Sequence, residues 1–215
     1  MRIAPCACDE FLERRRLHLP SIIGHAAVGL AASLAVPPQS RSWRVVALAA
    51  TCSVLPDLDT IGFWYGIPYD HWLGHRGFLH GHPFALAAGI LAAWLAKPCP
   101  ARRMQWLALA ALFTLCTASH GLLDAATSGG LGIAFFSPFS GHRFFLPWRP
   151  IAVAPLNPAR MLSPWGVRVL ASELIWVEVP ALCIALALWA SHRWRQRVGF
   201  HNRATNTRRA AGHSP

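Results

Sequence analysis

MQWLALAALFTLCTASHGLLDAA, residues 104–126, contains no charged side chain before Asp124. About 20 apolar residues at ~1.5 Å rise cross the hydrocarbon of a bilayer, so this stretch predicts a membrane-spanning helix. His120 and Asp124 close it four residues apart, which puts both on one helical face. A polar pair inside a span needs a reason, because charge beside hydrocarbon is costly. The plain reason is a helix-ending pair that hydrogen-bonds internally. The other is a ligand pair, since imidazole and carboxylate are what a borderline divalent metal selects.

Four more apolar runs flank this one in the chain. Ile22 to Val36 is closed by Pro37-Pro38, and Trp43 to Leu55 is ended by Pro56. Phe84 to Ala96 is closed by Lys97-Pro98, and Val169 to Ala190 carries Pro180 as an expected kink. The first three hold only about 13 to 15 clearly apolar positions, short of a straight span. They reach the needed length if the flanking polar residues belong to the helices. The fold class that follows is all-α: an integral membrane helical bundle of four or five transmembrane helices. No internal repeat of ~20–50 residues is visible.

Composition agrees. The 215 residues are 54% hydrophobic and 13% charged, against about 25% charged in a soluble protein, and the mean hydropathy is +0.35. Twenty Lys and Arg against nine acids give a net charge of +11. In a soluble chain that excess would point to nucleic acid. Here the bases lie in loops and tails beside apolar runs, where they set topology and meet anionic lipid, so membrane lipid is the expected partner and specific nucleic acid is not. The six cysteines show no CxxC or disulfide-scaffold spacing. Cys52, Cys116 and Cys183 read as packing residues, and Cys6-Ala7-Cys8 as at most a weak metal or lipid motif. The first apolar run begins near Ser21 and is followed by others, so a multi-pass anchor rather than a cleaved leader is expected.

The chain divides accordingly into a basic, interfacial N-terminal segment (1–20), a membrane-embedded domain (21–190) and a basic tail (191–215) that reads as disordered. Residues 127–167 are rich in Gly, Pro and aromatics and predict no long helix.

Alternating the runs across a bilayer sorts the polar residues. His25 starts the first run, Asp57 and Asp59 follow the second, His75 and His80 precede the third, His120 and Asp124 end the fourth, and Glu173 opens the fifth. All fall on one face. Arg41, Arg44, the Lys97/Arg102/Arg103 turn and the tail bases fall on the other, which the positive-inside rule assigns to the cytoplasm. The polar face is then periplasmic in an inner membrane. Arg14 to Arg16 run against this orientation, whereas the co-facial clustering is independent of it.

Each motif has a bland reading beside the sharp one. Leu55-Pro56-Asp57-Leu58-Asp59 is a helix stop with polar turn residues, or a pair of carboxylates in an extended turn able to share metals. His71, His75, His80 and His82 crowd twelve residues. Any one of them reads as an interfacial histidine, but the cluster reads as ligands, with His75 and His80 chosen and His71 and His82 as outer positions. His25 gains weight only from its face. Arg76, Arg143 and Arg149 have the fork that holds an anion, or serve topology. No HExxH, GxSxG, GxxxxGK[ST] or GxGxxG is present.

Gly24-His25, LPDLD at 55–59, HRGFLH at 75–80, SHGLLDAATSGG at 119–130 and FFSPFSGHRFFLP at 135–147, in this order, resemble the YdjM family of membrane-bound metal-dependent hydrolases. The resemblance runs from about 21 to 148. Leu79 and Gly81 stand where that family often has Thr and Ser, which removes two hydroxyl partners around His80. The resemblance implies a hydrolase distantly similar to zinc-dependent phospholipase C and related single-strand nucleases, which hold metals with His and Asp among helices. On that reading His25, Asp57, Asp59, His75, His80, His120 and Asp124 hold divalent metal, with zinc expected. Seven ligands exceed the four that one zinc takes, so more than one ion is expected. A carboxylate left off the metals, Asp57 or Asp59, is the general base, Arg76 steadies an anionic transition state, and His71, His82, Arg143 and Glu173 are supporting positions. The expected substrate is a phosphoester such as a phospholipid or lipid-linked phosphate. The competing class is a non-catalytic membrane protein that binds or transports metal, and a third reading is a structural protein with a polar rim.

Overall fold

A computed structural model describes residues 18–19, 22–96, 103–155 and 163–211. Helix α1 (Ile22–Ser33) ends before Pro37-Pro38. Helix α2 (Trp43–Val54) starts on Ser42, whose side chain accepts the Val45 N–H. Its last turns do not stop at Pro56 as expected but tighten into a 3-10 helix over Leu55–Tyr65. Pro56 has no N–H to give an α-helical bond, yet sits comfortably at the first turn of a new helical segment. The joint element Trp43–Tyr65 is 23 residues long, so the polar residues do complete this span. Gly66 in the left-handed region (φ 75°) ends it.

Helix α3 (His82–Ala96) and helix α4 (Arg103–Ala125) follow. Helix α5 (Pro164–Glu173) begins five residues before the expected run, because Ser163 caps it and Pro164 suits its first turn. A π turn over Leu174–Glu178 joins it to helix α6 (Val179–Ala211). The turn is a consequence of Pro180, which cannot donate to the carbonyl four residues back, so the Val179 N–H reaches to Leu174 O instead. The expected kink at Pro180 is thus absorbed by one wide turn. Helix α6 continues to Ala211, through the stretch whose composition reads as disordered; no proline interrupts it there. The two strands, β1 (His18–Leu19) and β2 (Ala154–Pro155), are two-residue antiparallel partners. Arg14 to Arg16, Cys6, Cys8, Lys97 and Arg102 lie outside the described residues.

Three elements are long and apolar enough to cross a membrane, Trp43–Tyr65, Arg103–Ala125 and Pro164–Arg197, and two shorter apolar helices, α1 and α3, accompany them. Helix α4 packs on α1, α2 and α3, and α1 also packs on α2 and α6. The core between α2, α3 and α4 is built from small residues and one ring: Ala49, Cys52, Ala92, Ala93, Ala110 and Phe113. Small residues let helices approach closely where water exclusion between them supplies little force. Gly89 of α3 shows how closely, since a Cβ there would collide with the Thr114 side chain and backbone of α4. Leu86, Ile90, Leu91, Trp94, Leu115, Leu182, Ile184 and Leu186 stay exposed around the outside, the arrangement a lipid-facing surface requires.

Candidate metal centre

The start of α1, the 3-10 extension of α2, the loop before α3 and the end of α4 meet at one end of the bundle. There His25, Asp57, Asp59, His75, Arg76, His80, His120 and Asp124 are all buried, none more than 7% exposed. The expected clustering on one face is therefore a convergence in space.

Helical phase does the placing on α4. His120 and Asp124 point the same way, and His120 Nδ1 is 2.8 Å from Ser53 O on α2. That carbonyl can only accept, so Nδ1 carries a proton and Nε2 is the ring atom turned toward the cluster. His120 Nε2 lies 3.2 Å from Asp57 Oδ1 and 3.9 Å from Asp124 Oδ2. The His25 ring stacks on His120 with centroids 3.7 Å apart, its Nε2 3.5 Å from Asp124 Oδ1. The resulting contact set gives His25 a firmer place than its sequence context does.

The two carboxylates of LPDLD do different things. In a 3-10 helix positions i and i+2 point apart, so they do not form the side-by-side pair an extended turn would give. Asp57 faces His120. Asp59 turns to the loop, where Oδ1 accepts from His75 Nδ1 at 2.7 Å and Oδ2 accepts from the Arg76 N–H at 3.1 Å and lies 2.9 Å from His80 Nδ1. Asp59 thereby fixes both rings and leaves their Nε2 atoms directed elsewhere, the role a carboxylate plays behind metal-binding histidines. The hydroxyls absent at Leu79 and Gly81 are not needed to orient His80.

Arg76 makes that loop possible. It is the one non-glycine residue with positive φ (64°) among the described residues, a left-handed conformation that costs about 1–2 kcal/mol for an L-residue. Its backbone N–H is held by Asp59 and its buried side chain by three partners. Nε is 3.1 Å from Asp124 Oδ2, Nη1 donates to Gly129 O at 2.7 Å, and Nη2 donates to Thr127 Oγ1 at 3.0 Å. The guanidinium is thus spent on positioning Asp124 and leaves less of its fork for a substrate anion. Gly130 (φ 88°) is needed beside it, because a Cβ there would strike Arg76 Nη1. Arg143 clamps the same loop from outside, Nη2 donating to Tyr69 O at 3.1 Å and Nη1 to His75 O at 3.2 Å and Arg76 O at 3.3 Å.

Outside the two spans that carry the carboxylates, burial pushes the His75 imidazole below its usual range. Burial pushes His80 the same way, but the Asp59 and Asp124 carboxylates overcome it and raise His80 to about 10.

The chemistry of the donor set fits a metal. His25 Nδ1 and Nε2, both Asp57 oxygens, His75 Nε2, both His80 nitrogens, His120 Nε2 and both Asp124 oxygens are buried without a well-formed hydrogen bond, and several of them meet one another, Asp59 or Arg76 only as ion pairs at 2.9–3.9 Å. Buried polar atoms that are imperfectly matched are costly, so their concentration at one spot calls for a shared partner. Three overlapping groups have ligand atoms close enough to hold an ion: His25, Asp57 and His120; Asp57, His75 and His80; His80, His120 and Asp124.

The family model of the YdjM inner membrane proteins matches residues 21–198. The inner membrane protein YbcI of Escherichia coli (strain K12) is 34% identical over 184 residues, covering 83% of this chain and 100% of that protein. The chain belongs to the YdjM inner membrane protein family. The YdjM resemblance read from five short motifs is thereby established over a longer stretch, including the region after Pro150 that those motifs do not reach. Family and relative are both named as inner membrane proteins, and this YdjM chain has the spans such a location requires. No solved structure matches it.

Of the other expected supporting residues, two turn outward from the YdjM cluster and one is buried beside the residue that precedes His25. His71 is exposed and accepts the Leu73 N–H at 3.2 Å, and His82 is exposed beside Phe135 O at 3.0 Å. Glu173 is buried against Gly24 and belongs to none of the three donor groups. Thr127 is the residue that motif reading passes over. It is fully buried, donates to Asp124 O at 2.7 Å and accepts from Arg76. A Thr three residues beyond a helix-ending Asp is the available signal, since hydroxyls there close the last turn.

Asp59→Asn retains shape but turns an acceptor of ring protons into a partial donor. Metal affinity is expected to fall about 10–100-fold while the helical fold persists, measured by competition with a zinc chelator and by circular dichroism.

Proposed function

We propose that this protein is a metal-dependent hydrolase of the inner membrane, acting on a phosphoester such as a phospholipid or a lipid-linked phosphate, with zinc as the metal. The observation that carries the reading is the convergence of buried imidazole and carboxylate atoms from four chain segments onto one locus. His25, His75, His80, His120 and Asp124 would hold the metal, with Asp57 beside them. Five such residues exceed what one tetrahedral zinc takes and suit two ions that share ligands. A bound divalent ion would supply Lewis acidity toward a phosphoryl oxygen and make a coordinated water acidic near neutral pH.

The chain's own residues do the rest. Asp59 keeps His75 and His80 in the tautomers that present Nε2. Ser53 O does the same for His120 through Nδ1. Arg76, held by Thr127 and Gly129, keeps the Asp124 carboxylate in place. Asp57 is the most exposed of the cluster's carboxylates, at 7%, and has no arginine partner, so it is the residue suited to accept a proton from an incoming water.

Two features support a membrane-surface hydrolase over a transporter. The polar cluster is at one end of the bundle, and the core between α2, α3 and α4 beneath it is built from apolar residues. Around the same end, Trp64, Tyr65, Phe139 and Trp148 are between 62% and 86% exposed, the aromatic residues expected at a lipid–water interface. Positive-inside alternation directs this end to the periplasm.

The test is turnover of an aryl phosphodiester and of phospholipid by purified protein. Zinc-dependent turnover, abolished by chelator and restored by zinc, is expected. Metal-loaded protein that hydrolyses neither, and that moves zinc across proteoliposomes, would overturn the proposal. Metal and proton also compete at His80, so binding is expected to release protons and apparent affinity to rise with pH; titration calorimetry in buffers of different ionisation enthalpy reads this directly.

A further inference from the structure

At the end of the bundle opposite the His/Asp cluster lies an open cleft of about 410 Å³, lined by Pro38, Arg41, Trp189, His192, Arg193 and Gln196. It forms where the α1–α2 connection meets α6. His192 Nε2, 3.0 Å from Leu34 O, and Arg41 Nε, 3.2 Å from Val36 O, tie the two walls to carbonyls at the end of α1. These contacts occupy one nitrogen of each side chain. Among the described residues, the Arg41 Nη atoms, the Arg193 guanidinium and the Gln196 amide make no hydrogen bond. Arg193 lies over the Trp189 ring at 5.2 Å, which holds its fork beside the cleft.

The charge distribution makes the cleft unusual. No Asp or Glu occurs between Glu13 and Asp57 or after Glu178, whereas six arginines follow Glu178. No acidic side chain from either wall neutralises the two guanidiniums. Two arginines, an amide donor and an interfacial Trp make a receptor for a tetrahedral oxyanion, since guanidinium donates in a bidentate fork matched to phosphate. The apolar Trp189 and Pro38 suit a ligand with a hydrocarbon part beside its phosphate.

We propose that this cleft is a phosphate-binding site, separate from the metal centre, that takes the headgroup of an anionic phospholipid. A soluble phosphate compound offers the same oxyanion and is the other source of this chemistry. The position beside the exposed apolar surface of α6 favours the lipid.

The experiment uses full-length protein in detergent, with lipid retention read by native mass spectrometry. Phosphatidylglycerol and phosphatidylcholine are the lipid probes and inorganic phosphate the soluble one. Wild-type protein is expected to retain phosphatidylglycerol over phosphatidylcholine, and R41Q/R193Q to lose that retention by about tenfold or more, as expected for two charge-assisted contacts. Displacement by millimolar phosphate would assign the site to a soluble ligand, and its failure to displace would assign it to the lipid. Equal retention of the two lipids by wild type, or unchanged retention by R41Q/R193Q, overturns the proposal. Metal content of the variant serves as the fold control. If it falls, R41K/R193K decides, because that variant must keep the preference if the cleft binds phosphate.

Discussion

Asp124→Asn is expected to destabilise the detergent-solubilised protein more than any other single change at the cluster and to remove its metal. Asp124 is fully buried and its oxygens lie 3.1 Å from Arg76 Nε, 3.4 Å from His80 Nε2 and 3.5 Å from His25 Nε2. Removing the charge leaves the Arg76 guanidinium buried against a neutral amide, and breaking one partner of a buried pair costs about 3–5 kcal/mol. The loss would spread, because Arg76 is also the left-handed residue of the loop that carries His75 and His80. A thermal scan should show a large drop in midpoint for this variant, larger than for His71→Ala, whose ring is exposed and makes only a local contact. Equal midpoints for the two variants would show that Asp124 does not anchor the cluster.

Asp57→Asn is expected to separate fold from chemistry. Asp57 has no arginine partner, and its close polar contact is His120 Nε2 at 3.2 Å, so an amide of the same shape leaves little unsatisfied. It does lose the charge that faces His120 and the ability to take up a proton. Turnover should fall about 10²–10⁴-fold, the range for losing a general base, while the thermal midpoint stays within a few degrees of wild type. Turnover unchanged in Asp57→Asn would remove this residue from the reaction.

Much of this arrangement is legible in the residues themselves, for identifiable reasons. Apolar runs predict the helices because hydrocarbon admits little else, and the i,i+4 spacing of His120 and Asp124 survives because helical phase is a local property. Alternation of spans places His25, Asp57, His75 and His120 at one end before any contact is known. Roles are harder, because residue type does not say which atom faces which neighbour. Asp59 reads as a ligand beside Asp57, but the 3-10 geometry after Pro56 turns it toward two ring nitrogens. Arg76 reads as an anion holder, but Asp124, Thr127 and Gly129 occupy its fork, and those partners lie roughly fifty residues away in sequence. The helical tail to Ala211 contradicts its composition, which speaks to solvation and not to continuation of the helix before it.

Whether the buried His/Asp cluster is a metal centre is decided by elemental analysis of the protein purified without chelator. At least one zinc per chain is expected, retained through gel filtration and lost in Asp124→Asn. Wild-type protein that is folded, monodisperse and free of any divalent metal, and that takes up none when zinc is supplied, would contradict it.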